Sequence, residues 1–447
     1  FAGVLKACGS IRAIAKGKKI HDLFLSLGLL NKDIVLGTSL MDMYAKCGIL
    51  TKAKEVLELL PVKNIVSWSS LITGYIQQGK AHEAINCFEQ MQIEGLSPNA
   101  VTFSCILKAC GNIGAIDKGE KIHDEIVRMG LLERDIVLAT ALVDMYAKCG
   151  VLGKAQQVLE ELPIRNVVSW NVLIVGYAQQ GQGFKALDCY ERMEKEGVSP
   201  NEITFACVLK ACGRTGDARK GKVIHDEIMR RGLLEKDIML GTALATMYAK
   251  CDMLAKAHYV IQCLPERDIV SWNALITGYT QRGECYESLN CFEQLENEGL
   301  FPDIVTFICI LKACGGIRAI ERGKQIHSKV MSRSLLEEDV MLGTALVDMY
   351  AKCGMLQNAQ SVLENLPARN VVSWNALIAG YTQWGHIHNA LHCFEWMQNE
   401  GLSPDLVTFI CILKACSSIG AIDEGEKIHD MIVNRGLMGK DVVLCNA

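Results

Sequence analysis

The chain has 447 residues, with 46 lysines and arginines against 50 aspartates and glutamates, and its formal net charge is −4. Half of the residues are hydrophobic, but polar side chains interrupt every apolar run before it reaches the ~18 residues of a membrane-spanning helix. The near-neutral charge argues against a uniformly basic nucleic-acid-binding protein. The intermixing of charged and apolar residues argues against a disordered chain.

Twenty cysteines suggest a zinc or disulfide framework, but no two of them form a Cys-x-x-Cys pair. The usual spacing of zinc ligands is therefore missing, and we predict neither a metal site nor a cofactor. We interpret the periodic cysteines as small core residues of a protein in a reducing compartment. His388 and His392 are one helical turn apart, and we interpret this local pair as a surface coincidence.

The dominant feature of the sequence is an internal repeat of 102 residues. Each repeat divides into pieces of 31, 35 and 36 residues, and each piece has the apolar pattern of two helices bounded by Gly or Pro. No strand-like alternation of useful length appears, so the sequence predicts an all-α solenoid of stacked helical hairpins. Tripeptides Lys-Ala-Cys mark the repeat and end at Cys8, Cys110, Cys212, Cys314 and Cys416.

A glycine and a histidine also recur every 102 residues, in one predicted helix of the 36-residue piece. A glycine in a helix costs ~1 kcal/mol relative to alanine, so its recurrence predicts a close approach of two helices. The histidines are expected to form hydrogen bonds with a neighbouring hairpin. The glycines are Gly17, Gly119, Gly221, Gly323 and Gly425, and the histidines are His21, His123, His225, His327 and His429.

Three motifs, VVSWNALIxGYxQxG, VTFxxILKACGxxxAIxxGxxIH and ALVDMYAKCG, resemble the P, L and S motifs of plant-type pentatricopeptide repeat (PPR) proteins of the PLS subclass. The resemblance implies a right-handed superhelix of helix-turn-helix repeats in a single array over residues 1–447. It covers a partial L motif, four S-P-L triplets and the start of another S motif. Their ranges are 1–33, 34–135, 136–237, 238–339, 340–441 and 442–447.

Members of this family bind single-stranded RNA at one nucleotide per motif. The resemblance therefore implies the targeting module of an RNA-processing factor in a mitochondrion or chloroplast, with C-to-U editing as the leading process. Editing accessory proteins bound through the L motifs would be further partners, and no membrane is implied. The chain begins at Phe1 without an initiator methionine, so we expect that the natural N terminus is not included.

In the family, the fifth and last residues of each motif select the base. A hydroxyl or amide at the fifth position can bond a base edge, whereas an aliphatic side chain cannot. We therefore predict a base for each S and P motif and treat the L motifs as spacers. Among the L motifs, only the pair Ser104/Asp135 could also select a base. The family's code then gives 5′-AAnA(C/U)nGUnAUn-3′ from the pairs Thr38/Asn64, Ser69/Asn99, Thr140/Asn166, Asn171/Asn201, Thr242/Asp268, Asn273/Asp303, Thr344/Asn370 and Asn375/Asp405.

Two other sets of residues follow from the same resemblance. The second residue of each S and P motif is expected to sandwich a base, and an S-motif lysine is expected to contact phosphate. The sandwiching residues are Val35, Val66, Val137, Val168, Met239, Val270, Met341 and Val372. The lysines are Lys46, Lys148, Lys250 and Lys352.

Each assignment has a plainer alternative. The fifth residues could be helix N-caps or first-turn residues, the second-position residues could be buried core, and the lysines could be solvated surface charges. For the whole chain, the alternatives are a protein-binding scaffold of the tetratricopeptide kind, whose period is a uniform 34 residues, and an RNA stabilisation or splicing factor without editing.

The sequence contains half of one catalytic signature. The run His-Asp-Glu at 123–125 and 225–227 matches one half of the zinc-deaminase signature, but the Pro-Cys-x-x-Cys half is absent. We therefore predict that the chain is not an enzyme. Whether a cytidine deaminase domain follows Ala447 stays an open question at this point.

Overall fold

The computed structural model describes residues 1–28, 30, 33–234, 237–337 and 339–435. These residues form 26 α-helices and one short 3-10 helix at Leu335–Glu337, with no β-strand. The prediction of an all-α solenoid is therefore confirmed. Residues 442–447, assigned above to the start of another S motif, lie outside the described residues.

The helices fall into two compact units, Phe1–Thr215 and Gly216–Ala447. The first unit contains α1 (Ala2–Ser10), α2 (Ile14–Ser26), α3 (Ile34–Lys46), α4 (Leu50–Leu59), α5 (Ile65–Gln77), α6 (Ala81–Ile93), α7 (Ala100–Ile113), α8 (Ile116–Arg128), α9 (Ile136–Lys148), α10 (Leu152–Glu161), α11 (Val167–Gln179), α12 (Gly183–Lys195) and α13 (Glu202–Thr215).

The second unit contains the same kind of helix pairs. They are α14 (Ala218–Arg230), α15 (Ile238–Lys250), α16 (Leu254–Cys263), α17 (Ile269–Gln281), α18 (Cys285–Asn297), α19 (Ile304–Ile317), α20 (Ile320–Ser332), α21 (Val340–Lys352), α22 (Leu356–Glu364), α23 (Val371–Gln383), α24 (Ile387–Asn399), α25 (Leu406–Ile419) and α26 (Ile422–Asn434).

Each motif supplies a first helix and a second helix joined by a short turn. The first helices of consecutive motifs also pack on one another, as α3, α5, α7, α9 and α11 do in the first unit and α15, α17, α19, α21, α23 and α25 do in the second. Within each unit, the first helices therefore form a continuous layer, and residues at equivalent positions of these helices recur along it.

The first helices begin where the last residue of the preceding motif caps them. Asn64, for example, accepts a hydrogen bond from the backbone N–H of Ser67 at 2.9 Å, and the Ser67 hydroxyl accepts one from the Asn64 N–H at 3.0 Å. Such a cap contributes about 1 kcal/mol. The same role falls to Asp33, Asn99, Asp135, Asn166, Asp237, Asp268, Asp303, Asp339, Asn370 and Asp405.

The alternative that fifth residues are caps is wrong, because they lie one turn further into the helix. The caps are instead the last residues of the motifs. Capping therefore fixes the side chain of each last residue beside the first turn of the following helix.

A buried tryptophan ties the two helices of each P motif together. Trp170 in α11 is almost fully buried and donates from Nε1 to Glu196, which follows α12, at 3.3 Å. Arg165, which precedes the cap, pairs with the same carboxylate at 3.0 Å. The equivalent trios are Trp68/Glu94/Lys63, Trp272/Glu298/Arg267 and Trp374/Glu400/Arg369.

The recurring glycine marks a close helix contact, as the sequence predicts. A Cβ on Gly119 in α8 would lie 2.5 Å from Sδ of Met145 in α9. Equivalent contacts join Gly17 to Met43, Gly221 to Met247 and Gly323 to Met349, whereas no atom of the described residues lies within 4 Å of a Cβ built on Gly425. The prediction therefore holds for four of the five glycines.

Four of the five periodic histidines form the expected bonds between hairpins, whereas Nδ1 of His429 lies 3.8 Å from Oδ1 of Asp430 in its own helix. His123 Nδ1 in α8 lies 2.9 Å from the Tyr146 hydroxyl in α9. Burial lowers the pKa of His123 and raises the pKa of Tyr146 to about 12, so both side chains are neutral at pH 7. The same 2.9 Å pairs are His21/Tyr44, His225/Tyr248 and His327/Tyr350.

The cysteines of the Lys-Ala-Cys tripeptides are core residues. Cys110, Cys212 and Cys314 have no exposed surface, and Cys8 and Cys416 are nearly as buried. Over the described ranges, no group of three histidine, cysteine, aspartate or glutamate side chains is placed to hold a metal ion. None of the helices there is both long enough and apolar enough to cross a bilayer.

Candidate nucleic-acid interface

The second residues of the S and P motifs stand exposed in the first turns of the first helices. Between 55% and 72% of each side chain is accessible to solvent. Their exposure contradicts the buried-core alternative. An aliphatic side chain gains from losing water contact when a ligand covers it. The set is Val35, Val66, Val137, Val168, Met239, Val270, Met341 and Val372.

The L motifs extend this row of aliphatic side chains, which the sequence reasoning missed. Their second residues are Val101, Ile203, Val305 and Val407, and each is between 51% and 60% exposed. The signal was present in the sequence, because these residues occupy the same register as Val66 and its equivalents. It was overlooked because the L motifs were treated as spacers on the basis of their fifth residues.

The fifth and last residues of three P motifs are joined by direct hydrogen bonds. Asn171 donates from Nδ2 to Oδ1 of Asn201 at 2.9 Å. The equivalent bonds run from Asn273 to Asp303 at 3.0 Å and 2.9 Å, and from Asn375 to Asp405 at 2.9 Å. The structure therefore brings together residues that are 30 positions apart in the sequence, in the pairing given for base selection.

A threonine in the following L motif fixes the orientation of each asparagine. Thr204 donates from its hydroxyl toward Oδ1 of Asn171 at 2.6 Å and lies 2.9 Å from Oδ1 of Asn201. Thr306 and Thr408 make the same contacts with Asn273 and Asn375. The amide oxygen of the fifth residue is thus occupied, and its NH₂ group faces the last residue.

The first P motif makes this connection indirectly. The Ser69 hydroxyl lies 2.8 Å from the Thr102 hydroxyl, which lies 2.9 Å from Oδ1 of Asn99. Serine is shorter than asparagine, so the threonine bridges the gap between fifth and last residues.

The carboxylate of the fourth P motif is held in its ionised form. Burial acts to raise the pKa of Asp405, but hydrogen bonds from Thr408 and Asn375 outweigh it and lower that pKa below its usual value. A negative acceptor is therefore present at neutral pH beside the fifth residue of α23.

The S-motif pairs are less uniformly connected. Thr242 donates to Oδ1 of Asp268 at 3.2 Å. Thr140 and Thr344 instead donate within their own helices, to the carbonyl oxygens of Ile136 and Val340 at 2.7 Å and 2.8 Å. The buried hydroxyl of Thr38 has no hydrogen-bond partner among the described residues. The structure therefore links one of the four predicted S-motif pairs directly.

The S-motif lysines lie at the ends of the first helices, and three of them pair with an aspartate one turn earlier. The Nζ–carboxylate distances are 2.6 Å for Lys46–Asp42, 2.7 Å for Lys148–Asp144 and 2.7 Å for Lys352–Asp348. In the third S motif, Thr246 replaces that aspartate beside Lys250.

These residues converge on three equivalent surface cavities, which we call the P-motif cavities. Their volumes are about 290 Å³, 320 Å³ and 420 Å³. Each is lined by an S-motif lysine, the second, fifth and last residues of the P motif, the second residue of the L motif and a glutamine. The linings include Lys46, Val66, Ser69, Asn99, Val101 and Gln77; Lys148, Val168, Asn171, Asn201, Ile203 and Gln179; and Lys250, Val270, Asn273, Asp303, Val305 and Gln281.

Each P-motif cavity therefore combines two aliphatic walls, a polar pair and a cation. The aliphatic residues come from first helices of consecutive motifs, and the polar pair lies between them in the sequence. Such a site accommodates a planar ring between the walls, with the polar pair at its edge and an anionic group near the lysine.

Profiles of two related families match this chain. The PPR repeat family matches residues 63–112, 165–214, 267–316 and 369–418. The PPR repeat matches residues 38–65, 101–131, 203–233 and 344–371. Matches therefore recur in every 102-residue repeat and include the second, fifth and last residues of all four P motifs.

Curated relatives from Arabidopsis thaliana align with nearly the whole chain. Pentatricopeptide repeat-containing protein At1g11290, chloroplastic, is 36% identical over 97% of this chain and 53% of its own length. At2g03380, mitochondrial, is 34% identical over 96% and 61%. At4g18520, chloroplastic, is 33% identical over 94% and 67%. The chain thus spans between about half and two thirds of these relatives.

Solved structures share the fold. The pentatricopeptide repeat protein PPR10 in complex with an 18-nt psaJ RNA element superposes with a TM-score of 0.72 at 18% identity, over 88% of this chain and 59% of that one. PPR10 from maize gives 0.62 at 22% identity, over 98% and 68%. Repeat motifs, helix arrangement, family profiles and relatives agree, and the chain belongs to the pentatricopeptide repeat family.

Proposed function

We propose that this chain binds single-stranded RNA at one nucleotide per motif, with the bases read by the S and P motifs, as the targeting module of an organellar RNA-processing factor that acts in C-to-U editing. The observation that carries the proposal is the P-motif cavity, which unites the polar pair, two exposed aliphatic residues and a lysine. In this proposal the module itself is not catalytic, and it belongs to the PLS subclass.

A base enters each cavity between the second residues of consecutive motifs. In the second P motif these are Val168 and Ile203, which line the same cavity as Asn171 and Asn201. Aliphatic walls cover both faces of the ring and take the place of aromatic stacking. The polar pair is then left at the base edge, where the bases differ from one another.

Base choice follows from the hydrogen-bonding groups at that edge. Uracil and guanine present a ring N–H, which a carboxylate accepts, whereas cytosine and adenine present a ring nitrogen acceptor, which an amide NH₂ satisfies. An aspartate at the last position, such as Asp303, therefore favours U or G. An asparagine there, such as Asn201, favours C or A.

Several comparisons support this proposal. PPR10, whose fold is similar, has been solved in complex with an RNA element. Relatives named chloroplastic and mitochondrial support an organellar location. The succession of S, P and L motifs supports a role in editing. The L motifs, with Ala206, Ile308 and Ile410 at the fifth position, are left to space the readers and to contact editing accessory proteins.

Fluorescence anisotropy with labelled RNA tests the proposal. The chain should bind an RNA containing 5′-AAnA(C/U)nGUnAUn-3′ at least tenfold more tightly than a permuted RNA of equal composition. Val270→Ala should weaken binding of both RNAs, by about 1 kcal/mol, without altering thermal stability, because this side chain is exposed. Equal affinity for the two RNAs would refute sequence-specific binding.

A further inference from the structure

The third S motif differs from the other three at the position four residues before its lysine. In the first and second cavities, an aspartate of the S-motif first helix lies beside the lysine, and the two form an ion pair. These pairs are Asp42–Lys46 at 2.6 Å and Asp144–Lys148 at 2.7 Å. In the third cavity, Thr246 occupies the place of the aspartate beside Lys250.

The aspartate competes with any anion that approaches the lysine. A carboxylate 2.6 Å or 2.7 Å from Nζ neutralises the ammonium group and uses one of its three donors. A phosphate that approaches the same lysine must share it with the aspartate, and it also meets the aspartate's negative charge. Thr246 is neutral, so Lys250 retains its full charge and its donors for a phosphate.

We infer that Thr246 makes the third P-motif cavity the main phosphate-anchoring site of the chain, and that Asp42, Asp144 and Asp348 weaken phosphate binding at the other three S-motif lysines. This inference rests on the proposed function and deepens it. The third cavity is also the largest of the three, at about 420 Å³. It holds the pair Asn273/Asp303, assigned to the eighth nucleotide of the predicted site.

The position of the anchor has a physical consequence for base reading. Asp303 places a carboxylate in the third cavity, whereas the first two cavities have Asn99 and Asn201 at that position. With Thr246, one lysine and one carboxylate line the third cavity, as in the first two. An aspartate at 246 would give that cavity a second carboxylate. In the third cavity, Thr246 therefore offsets the added charge of Asp303.

Charge-swap variants test the anchor against a size-matched control. Thr246→Asp should weaken binding of the predicted RNA about fivefold at 0.1 M salt, because a carboxylate near the phosphate costs about 1 kcal/mol. Thr246→Asn introduces a side chain of nearly the same shape as aspartate but without the charge, and this variant should bind RNA as the unmodified chain does. Asp144→Thr should have the opposite effect and tighten binding.

A second measurement locates the anchor along the RNA. Four RNAs each carry a single uncharged methylphosphonate linkage, which flanks nucleotide 2, 5, 8 or 11. The RNA with the linkage at nucleotide 8 should lose the most affinity. Thr246→Asp should abolish that excess loss, and Lys250→Gln should lower the salt slope by about 0.7.

Two results would overturn the anchor. These are equal affinities for Thr246→Asp and Thr246→Asn, or equal losses at nucleotides 2, 5, 8 and 11. In either case, retained preference for the predicted RNA over its permuted control would leave the proposed function standing. Loss of that preference in the unmodified chain would instead remove the proposed function.

Discussion

Asn273 donates from Nδ2 to both carboxylate oxygens of Asp303, at 3.0 Å to Oδ1 and 2.9 Å to Oδ2. One partner lies in the second turn of α17, and the other is the N-cap of α19. The cap is held by the backbone N–H of Thr306 at 2.9 Å, so the carboxylate cannot move without loosening a helix end. The pair is therefore preorganised before any base arrives.

Replacing Asn273 by threonine tests the reading of the eighth nucleotide. The shorter side chain leaves more room at the base edge, and Asp303 still accepts a ring N–H, which both U and G present. We expect preference at this nucleotide to shift from U to G by about tenfold. Anisotropy measurements on four RNAs that differ only at nucleotide 8 give the result. If the variant keeps U, then Asn273 and Asp303 do not read the base in this way.

The last residues of the second and third P motifs are asparagine and aspartate, and exchanging the two residue types tests their roles in both directions. Asp303→Asn replaces an acceptor by a donor and should move nucleotide 8 from U toward C. Asn201→Asp should move nucleotide 5 toward U. Each change should alter the ratio of affinities about tenfold, since one matched contact is worth about 1–3 kcal/mol. Both variants keep a side-chain oxygen for the cap, so unchanged melting temperatures serve as the control. Equal shifts at both nucleotides in either variant would contradict one-motif-one-base reading.

The repeat lengths were sufficient to predict the hairpins and their order, because the helix stops at Gly and Pro recur in register. The close contact of Gly119 with Met145 was also predictable, since glycine is costly in a helix. The part that could not be predicted is long-range. Thr204 bridges Asn171 and Asn201, and this contact across 33 positions has no signature in local sequence.

Gly380 in α23 lies at a close approach to α21. An added Cβ would be 2.6 Å from Cβ of Ala351 in α21 and 3.3 Å from its Cα, neither of which can rotate away. We expect Gly380→Ala to lower the free energy of unfolding by about 1–3 kcal/mol. Gly425→Ala in α26 is the matched control, because no atom of the described residues would contact the added Cβ and alanine favours the helix. Urea unfolding should separate the two variants, and identical stabilities would contradict the packing described.

The half-buried histidines that pair with tyrosine make stability depend on pH. Burial lowers the pKa of His21, His123, His225 and His327 in the folded chain. The unfolded chain then binds more protons in acid, so the stabilisation is complete above about pH 6.5 and is lost as pH falls through the lower folded pKa values.

Melting temperatures at pH 7.5, 6.5 and 5.5 check this expectation. The unmodified chain should become progressively less stable below pH 6.5. His123→Gln should reduce that loss, because glutamine cannot gain a proton there. His82→Gln changes an exposed histidine in α6 and is the control. A pH dependence that is the same in both variants would show that the buried pair with Tyr146 is not its source.

The most direct test of the whole account is selection of bound RNA from a randomised 12-nucleotide pool, followed by sequencing. The bound RNAs should converge on 5′-AAnA(C/U)nGUnAUn-3′, with U enriched at nucleotide 8 and with no preference at nucleotides 3, 6, 9 and 12, which face L motifs. Two results would contradict reading by the S and P motifs. One is an enriched sequence in which the unread positions do not recur at every third nucleotide, and the other is no enrichment over the starting pool.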